Sequence, residues 1–275
     1  MESSDIIRID LDTVLRQRLP RHYRFIPSPL VRWMERIICQ DQLNEMLRVN
    51  HGLRGADFCR GVLRHLGITY QVSGMANLPE SGRAIFVCNH PLGGLDGMIL
   101  IDMLSQRYGP GVRFVVNDLL MAVEPLSEVF LPVNKHGRQS RTSTAQIDST
   151  FASDAPIIIF PAGLVSRKQK DGSIADLRWR KMFINKAVST GRDIIPIYFN
   201  GQNSSFFYNF AKTRTRLGLK FNIEMVRLPA EIFRCRGAEF TIRVGRPVSA
   251  STLKGGAAAQ AEADAIRSIV YNLSD

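Results

Sequence analysis

The sequence predicts an α/β protein: a mainly parallel sheet flanked by helices on both faces, preceded by a small helical N-terminal region. Three observations predict it. From Ile68 onward, apolar runs of strand length alternate with helix-patterned stretches, the order that builds a parallel sheet and its crossovers. Before residue 80 the apolar spacing is helical rather than strand-like. Between them, Ala84-Ile-Phe-Val-Cys88 breaks into Asn89-His90-Pro91-Leu92-Gly93-Gly94-Leu95-Asp96-Gly97 and then a helical pattern, which reads as a buried strand, a turn and a helix. We divide the chain into a helical region, 1–80, offered to a membrane surface, and an α/β domain, 81–275.

In the first region, residues 11–18 form a helix stopped near Pro20. Ser28-Pro29 has the cap-then-proline form of a helix start. Leu30, Val31, Trp33, Met34, Ile37 and Ile38 carry that helix toward Gln40. Asp41 caps a third helix to Arg48, and Phe58, Val62, Leu63 and Leu66 mark a fourth before Gly67. Arg16, Arg18, Arg21, Arg24, Arg32 and Arg36 run beside Tyr23, Phe25 and Trp33. Two readings stand: an interfacial amphipathic segment, or a core Trp33 under a solvated basic face.

Strands are expected at 68–72, 112–116, 130–133, 155–160, 193–200, 221–226 and 239–244. Helices are expected at 98–107, 119–121 and 138–152, after the segment Asp176–Phe183 to Ser189, from Ser204-Ser205 to Leu217, and from Gly255-Gly256 to Leu273.

A net charge of +11 points to a polyanionic partner: nucleic acid, an anionic membrane leaflet or an acidic carrier protein. No nucleic-acid motif is present, so no nucleic-acid partner is expected. Cys39, Cys59, Cys88 and Cys235 form no Cys-x-x-Cys pair, which argues for a reducing compartment. His22, His51, His65 and His136 show no metal-ligand spacing, so no metal is expected. No apolar run approaches the roughly 20 residues of a membrane span. The acidic, polar Met1-Glu2-Ser3-Ser4-Asp5 lacks the form of a secretory signal. The expectation is a cytoplasmic protein, peripheral on the cytoplasmic face of the inner membrane.

The chemistry gathers at the central stretch. A neutral imidazole can take a proton from a hydroxyl, and a carboxylate on its other nitrogen fixes the tautomer. His90 and Asp96 stand where a strand gives way to a helix, and in open α/β sheets ligands bind at the carboxyl ends of strands. A lone His near an Asp is also common as plain structure.

Asn89-His90, a short spacer and Asp96 resemble the signature of the glycerolipid acyltransferase family, which is His, four residues, Asp. Here the spacer is five residues, Pro91 to Leu95. The wording is similar to a bacterial branch labelled putative hemolysin or lysophospholipid acyltransferase, and to the O-acyltransferases of glycine and ornithine lipids. A second family block, Phe-Pro-Glu-Gly-Thr-Arg-Ser, is matched by Phe160-Pro161-Ala162-Gly163, followed by Ser166, Arg167 and Lys168. Weaker matches are Lys135 with Arg138 after a short strand, and Ile195-Pro196-Ile197.

The resemblance implies a seven-stranded αβ core like that of soluble glycerol-3-phosphate acyltransferases. It implies transfer of a fatty acyl group from acyl carrier protein or acyl-CoA to a lyso-lipid hydroxyl, with no bound cofactor. His90 would be the base and Asp96 its orienter. Asn89, Gly93, Gly94, Lys135, Arg138, Phe160, Pro161, Gly163, Ser166, Arg167 and Lys168 would meet substrate. Main-chain N–H groups near Gly93-Gly94 or Gly163 would hold the oxyanion. Ala162 in place of Glu favours a carboxylate-headed acceptor, an N-(3-hydroxyacyl) amino acid, over lysophosphatidic acid. The competing reading is a basic binding module whose His and Asp are structural.

Overall fold

A computed structural model describes residues 7–18, 20–117, 120–121, 123–133, 141–219 and 222–274. Four helices open the chain: α1 (Leu11–Arg18), α2 (Ser28–Ile37), α3 (Gln40–Val49) and α4 (Gly55–Leu66). Then follow β1 (Thr69–Ser73), β2 (Ala84–Cys88), α5 (Leu95–Tyr108), β3 (Arg113–Asn117), β4 (Phe130–Val133), α6 (Arg141–Ala152) and β5 (Ile157–Ile159). A two-stranded hairpin, β6 (Arg167–Lys168) and β7 (Ile174–Ala175), precedes α7 (Met182–Thr190) and β8 (Asp193–Asn200). The chain ends with α8 (Ser205–Arg216), α9 (Leu228–Arg234), β9 (Glu239–Val244) and α10 (Ala259–Asn272).

Seven strands form one sheet in the order β1-β9-β8-β2-β5-β3-β4. Every pairing is parallel except β8 with β9. Strand β2 lies at the centre with all five residues buried, as a strand covered on both faces must be. Its side chains alternate between two cores. Phe86 and Cys88 join the core under α4 and α5, and Ile85 and Val87 join the one under α7 and α10. The predicted α/β class therefore holds. The expected division near residue 80 runs between β1 and β2, strands of one sheet, and α4 shares its core with α5.

Three expectations change. The run 221–226 alternates like a strand, but Ile223–Arg227 is a 3₁₀ turn leading into α9, and Phe221 lies outside the described residues. Glu224 decides this: it is fully buried against two arginines, Arg167 and Arg214, a pairing a solvent-facing strand position would not give. Asp41 lies in the first turn of α3, and the N-cap position falls to Cys39, in the left-handed region at φ 54°. The helix expected from residue 138 is described from Arg141, while Leu119, Lys135 and Arg138 lie outside the described residues. Among the described residues, no helix is long and apolar enough to cross a membrane.

Candidate active site

Where β2 ends, side chains take over from the ladder. Asn89 continues the β2–β8 pairing with its amide: Nδ2 donates to the Phe199 carbonyl at 2.9 Å and Oδ1 accepts the Phe199 N–H at 2.7 Å. At 3% exposure, Asn89 is an internal brace. The next residue is pinned on both main-chain groups. The His90 N–H donates to Asp176 Oδ1 (3.1 Å), and its carbonyl accepts the Ser166 N–H (2.8 Å) and hydroxyl (3.2 Å).

The imidazole then has one orientation. Its ring stacks on Phe160, centroids 4.1 Å apart and 17° from parallel, and Nδ1 lies 2.9 Å from Asp96 Oδ2. The five-residue spacer closes because the chain crosses Gly93 at φ +86°, a conformation glycine adopts at no steric cost. A Cβ at Gly93 would lie 2.6 Å from Val165 Cγ2, so the loop is also packed too tightly for a side chain. Farther on, α5 meets the sheet at Gly97, where a Cβ would come within 2.8 Å of Phe114.

Asp96 is fully buried. Burial pushes its pKa up. The attraction and hydrogen bond of His90, with the N–H groups of Leu92 and Gly97, outweigh burial and leave the carboxyl below its ordinary range. It is therefore an ionised, acceptor-only group at neutral pH, so His90 Nδ1 carries the proton and donates. Nε2 is then the ring nitrogen with a free lone pair. The pair can draw a proton from an incoming hydroxyl and return it to a leaving group.

The second block supports the first. Phe160 provides the stacking face, and Pro161 accepts the Arg180 N–H at 3.0 Å. Gly163 turns the chain at φ +63°. Its N–H donates to the Phe160 carbonyl (2.9 Å), and that of Gly93 points at Asp96 Oδ2 (3.3 Å). These two donors are thus turned inward, away from the oxyanion expected of them. Gly94 caps α5 beneath Ile232 of α9. Ser166 is buried with its hydroxyl 2.5 Å from Asp176 Oδ1.

Arg167, expected at an acceptor head group, lies 2.8 Å from Glu224. Arg214 takes the other Glu224 oxygen at 2.8 Å. Burial lowers the Arg167 pKa, opposed by Glu224. Lys168 stands exposed on β6. Beyond Phe160 an apolar cleft of about 160 Å³ opens over the ends of β3, β4 and β5, lined by Val116, Val133, Phe160, Pro161 and Met182 with Arg180 at its side.

Sequence reasoning missed Asp176. It is 2% exposed and holds His90, Ser166 and, through Oδ2, the Trp179 indole N–H at 2.9 Å. Burial raises its pKa against those donors. The available signal was an acid three residues before a Trp, whose indole needs an acceptor when buried. Asn203 was also missed: it donates to the Pro91 carbonyl at 3.1 Å and steadies the loop.

A mainly parallel sheet with a buried carboxylate–imidazole pair at a strand end is an arrangement that can activate a hydroxyl. The chain belongs to the acyltransferase family, whose model matches residues 13–275. It is 40% identical over 273 residues to a lyso-glycine lipid O-acyltransferase of Phocaeicola vulgatus, covering 99% of this chain and 98% of that one. It is 39% identical to another of that name from Bacteroides thetaiotaomicron, covering 99% and 100%. The crystal structure of the 1-acyl-sn-glycerophosphate acyltransferase PlsC from Thermotoga maritima aligns with a TM-score of 0.45 at 15% identity, covering 95% and 97%.

Proposed function

We propose that this enzyme moves a fatty acyl group from an acyl thioester to the hydroxyl of an N-(3-hydroxyacyl) amino acid, a lyso-glycine lipid. The observation that carries the reading is the 2.9 Å contact of His90 Nδ1 with a buried, ionised Asp96. Nε2 takes the acceptor's hydroxyl proton as the oxygen attacks the thioester carbonyl. The C–S bond breaks as the C–O ester forms, and the imidazolium gives its proton to the leaving thiolate. Asp96 stabilises the imidazolium in between.

The names of the two relatives at 39–40% identity support the acceptor. The net charge of +11 suits an acidic acyl carrier protein as donor, with acyl-CoA the other thioester of that chemistry. A thioester is already activated, so the step asks for no resident cofactor. Arg180 and Lys168 are the basic side chains offered to a carboxylate head. A lipid acceptor places the work at a membrane surface, on the cytoplasmic side where acyl thioesters are made.

The test is acyl transfer by the purified protein from labelled acyl carrier protein, with N-(3-hydroxyacyl)glycine and lysophosphatidic acid offered in parallel. Product should form on the glycine lipid, and His90→Ala should lower turnover roughly 10² to 10⁴-fold with the fold intact. Near-normal turnover in that variant would refute the mechanism. Product on lysophosphatidic acid alone would refute the acceptor.

A further inference from the structure

We propose that residues 206–219 and 222–227, on the outer side of the segment covering the His90 loop, dock on an anionic phospholipid surface. The proposal takes its purpose from the lipid-acceptor reading but its evidence from this segment alone. Helix α8 is two-sided: Phe207, Tyr208 and Ala211 are buried, while Phe206 is 57% exposed. Leu217 and Leu219, just past its end, are 70% and 48% exposed. On the 3₁₀ turn, Ile223 and Val226 are 45% and 46% exposed and stand three apart, which puts them on one side. The Arg227 guanidinium lies 4.7 Å over the Phe206 ring, joining the two elements into one patch.

Charge names the occupant. Between Asp193 and Glu239 the only acids are Glu224 and Glu231. Both are buried, Glu224 against Arg167 and Arg214, Glu231 against Arg234 and Ser204. Among its described residues this segment therefore shows no exposed acid of its own, while Lys212 and Arg216 are exposed on it. Exposed large apolar side chains framed by unopposed cations fit the boundary of an anionic leaflet. Location gives the patch its use. On the inner side, Leu228 packs where a Cβ at Gly93 would fall and Ile232 where one at Gly94 would, so docking sets the His90 loop beside the bilayer.

The test is co-sedimentation of the full chain with phosphatidylglycerol and phosphatidylcholine vesicles, alongside transfer to a short-chain, water-soluble acceptor. The native protein should bind phosphatidylglycerol vesicles in a salt-sensitive way and phosphatidylcholine vesicles weakly. Phe206→Ser with Ile223→Ser, and separately Lys212→Glu with Arg216→Glu, should each lower binding at least tenfold and leave transfer to the soluble acceptor unchanged. The charge pair keeps the test decisive if the apolar pair fails to fold. Undiminished binding in the charge pair, or loss only in Trp33→Ser, would overturn the proposal. So would no binding by the native protein, or a dimer in solution that the variants abolish. Vesicle binding by a native protein that transfers to neither the soluble acceptor nor N-(3-hydroxyacyl)glycine would refute the proposed function while leaving the docking result standing.

Discussion

At the scale of the residue, the site is a chain of carboxylates that hold one imidazole. Asp96 orients the ring and Asp176 holds the backbone beneath it. Asp96→Asn keeps the shape but replaces an acceptor-only group with one that also donates. Turnover should fall roughly 10² to 10⁴-fold. The acid limb of stability should change as well. Held below its ordinary 3.8, Asp96 binds fewer protons folded than unfolded. It contributes stability above about pH 4 that is lost as pH falls through its folded value. Native protein should therefore lose stability relative to the variant as pH drops below about 4, and parallel acid limbs in denaturant titrations would exclude this. Asp176 has the opposite sign: its raised pKa gives a contribution present at low pH and lost as pH rises past 3.8. Asp176→Asn sets an amide against the three donors of His90, Ser166 and Trp179. We expect kcat to drop at least tenfold with KM nearly unchanged, as the backbone beneath the imidazole loses its carboxylate acceptor. A rise in KM alone would assign Asp176 to binding instead. Of this chain, His90 and Asp96 were legible because they stand at a strand–helix break. Asp176 was not, because it meets His90 from 86 residues away across a hairpin whose strands are two residues long.

At the scale of the element, legibility followed the kind of force. Strands β8 and β9 were read to the residue, since a buried apolar run in β8 and apolar–polar alternation in β9 each carry their own signal. The run 221–226 was misread as a strand because a tertiary ion cluster around Glu224 overrides its alternation. Pro229 at the start of α9 was the helix signal that went unused. Arg192 shows another force the sequence hides. Wholly buried, it donates to the carbonyls of Phe151 and Ala155 (both 2.8 Å) and of Ser153, closing the end of α6. Burial pulls its pKa down to about 10. Arg192→Met would strand those carbonyls, at about 3 kcal/mol and a midpoint lower by roughly 6–12 °C. A thermal melt within 2 °C of native would show, at about this calibration, that water replaces the guanidinium.

At the scale of the whole molecule, the basic composition resolves into places. Trp33 and Phe25 are 56% and 69% exposed, so the reading that made Trp33 a core residue fails. The arginines around it border an apolar outer face, and we propose that this N-terminal face also meets the membrane. Not every cation is available: Arg192, Arg167 and Arg214 are spent inside the fold. The sheet order β1-β9-β8 also bears on how the chain is born. Among the described strands β1 has one neighbour, β9, and Thr69 pairs with Glu239. On the ribosome, β1 emerges with its ladder groups unmatched and stays so while about 170 further residues are added (239 − 69), roughly 10–30 s of synthesis. The nascent chain carries an open edge through that interval, and the sheet closes only when its last strand appears.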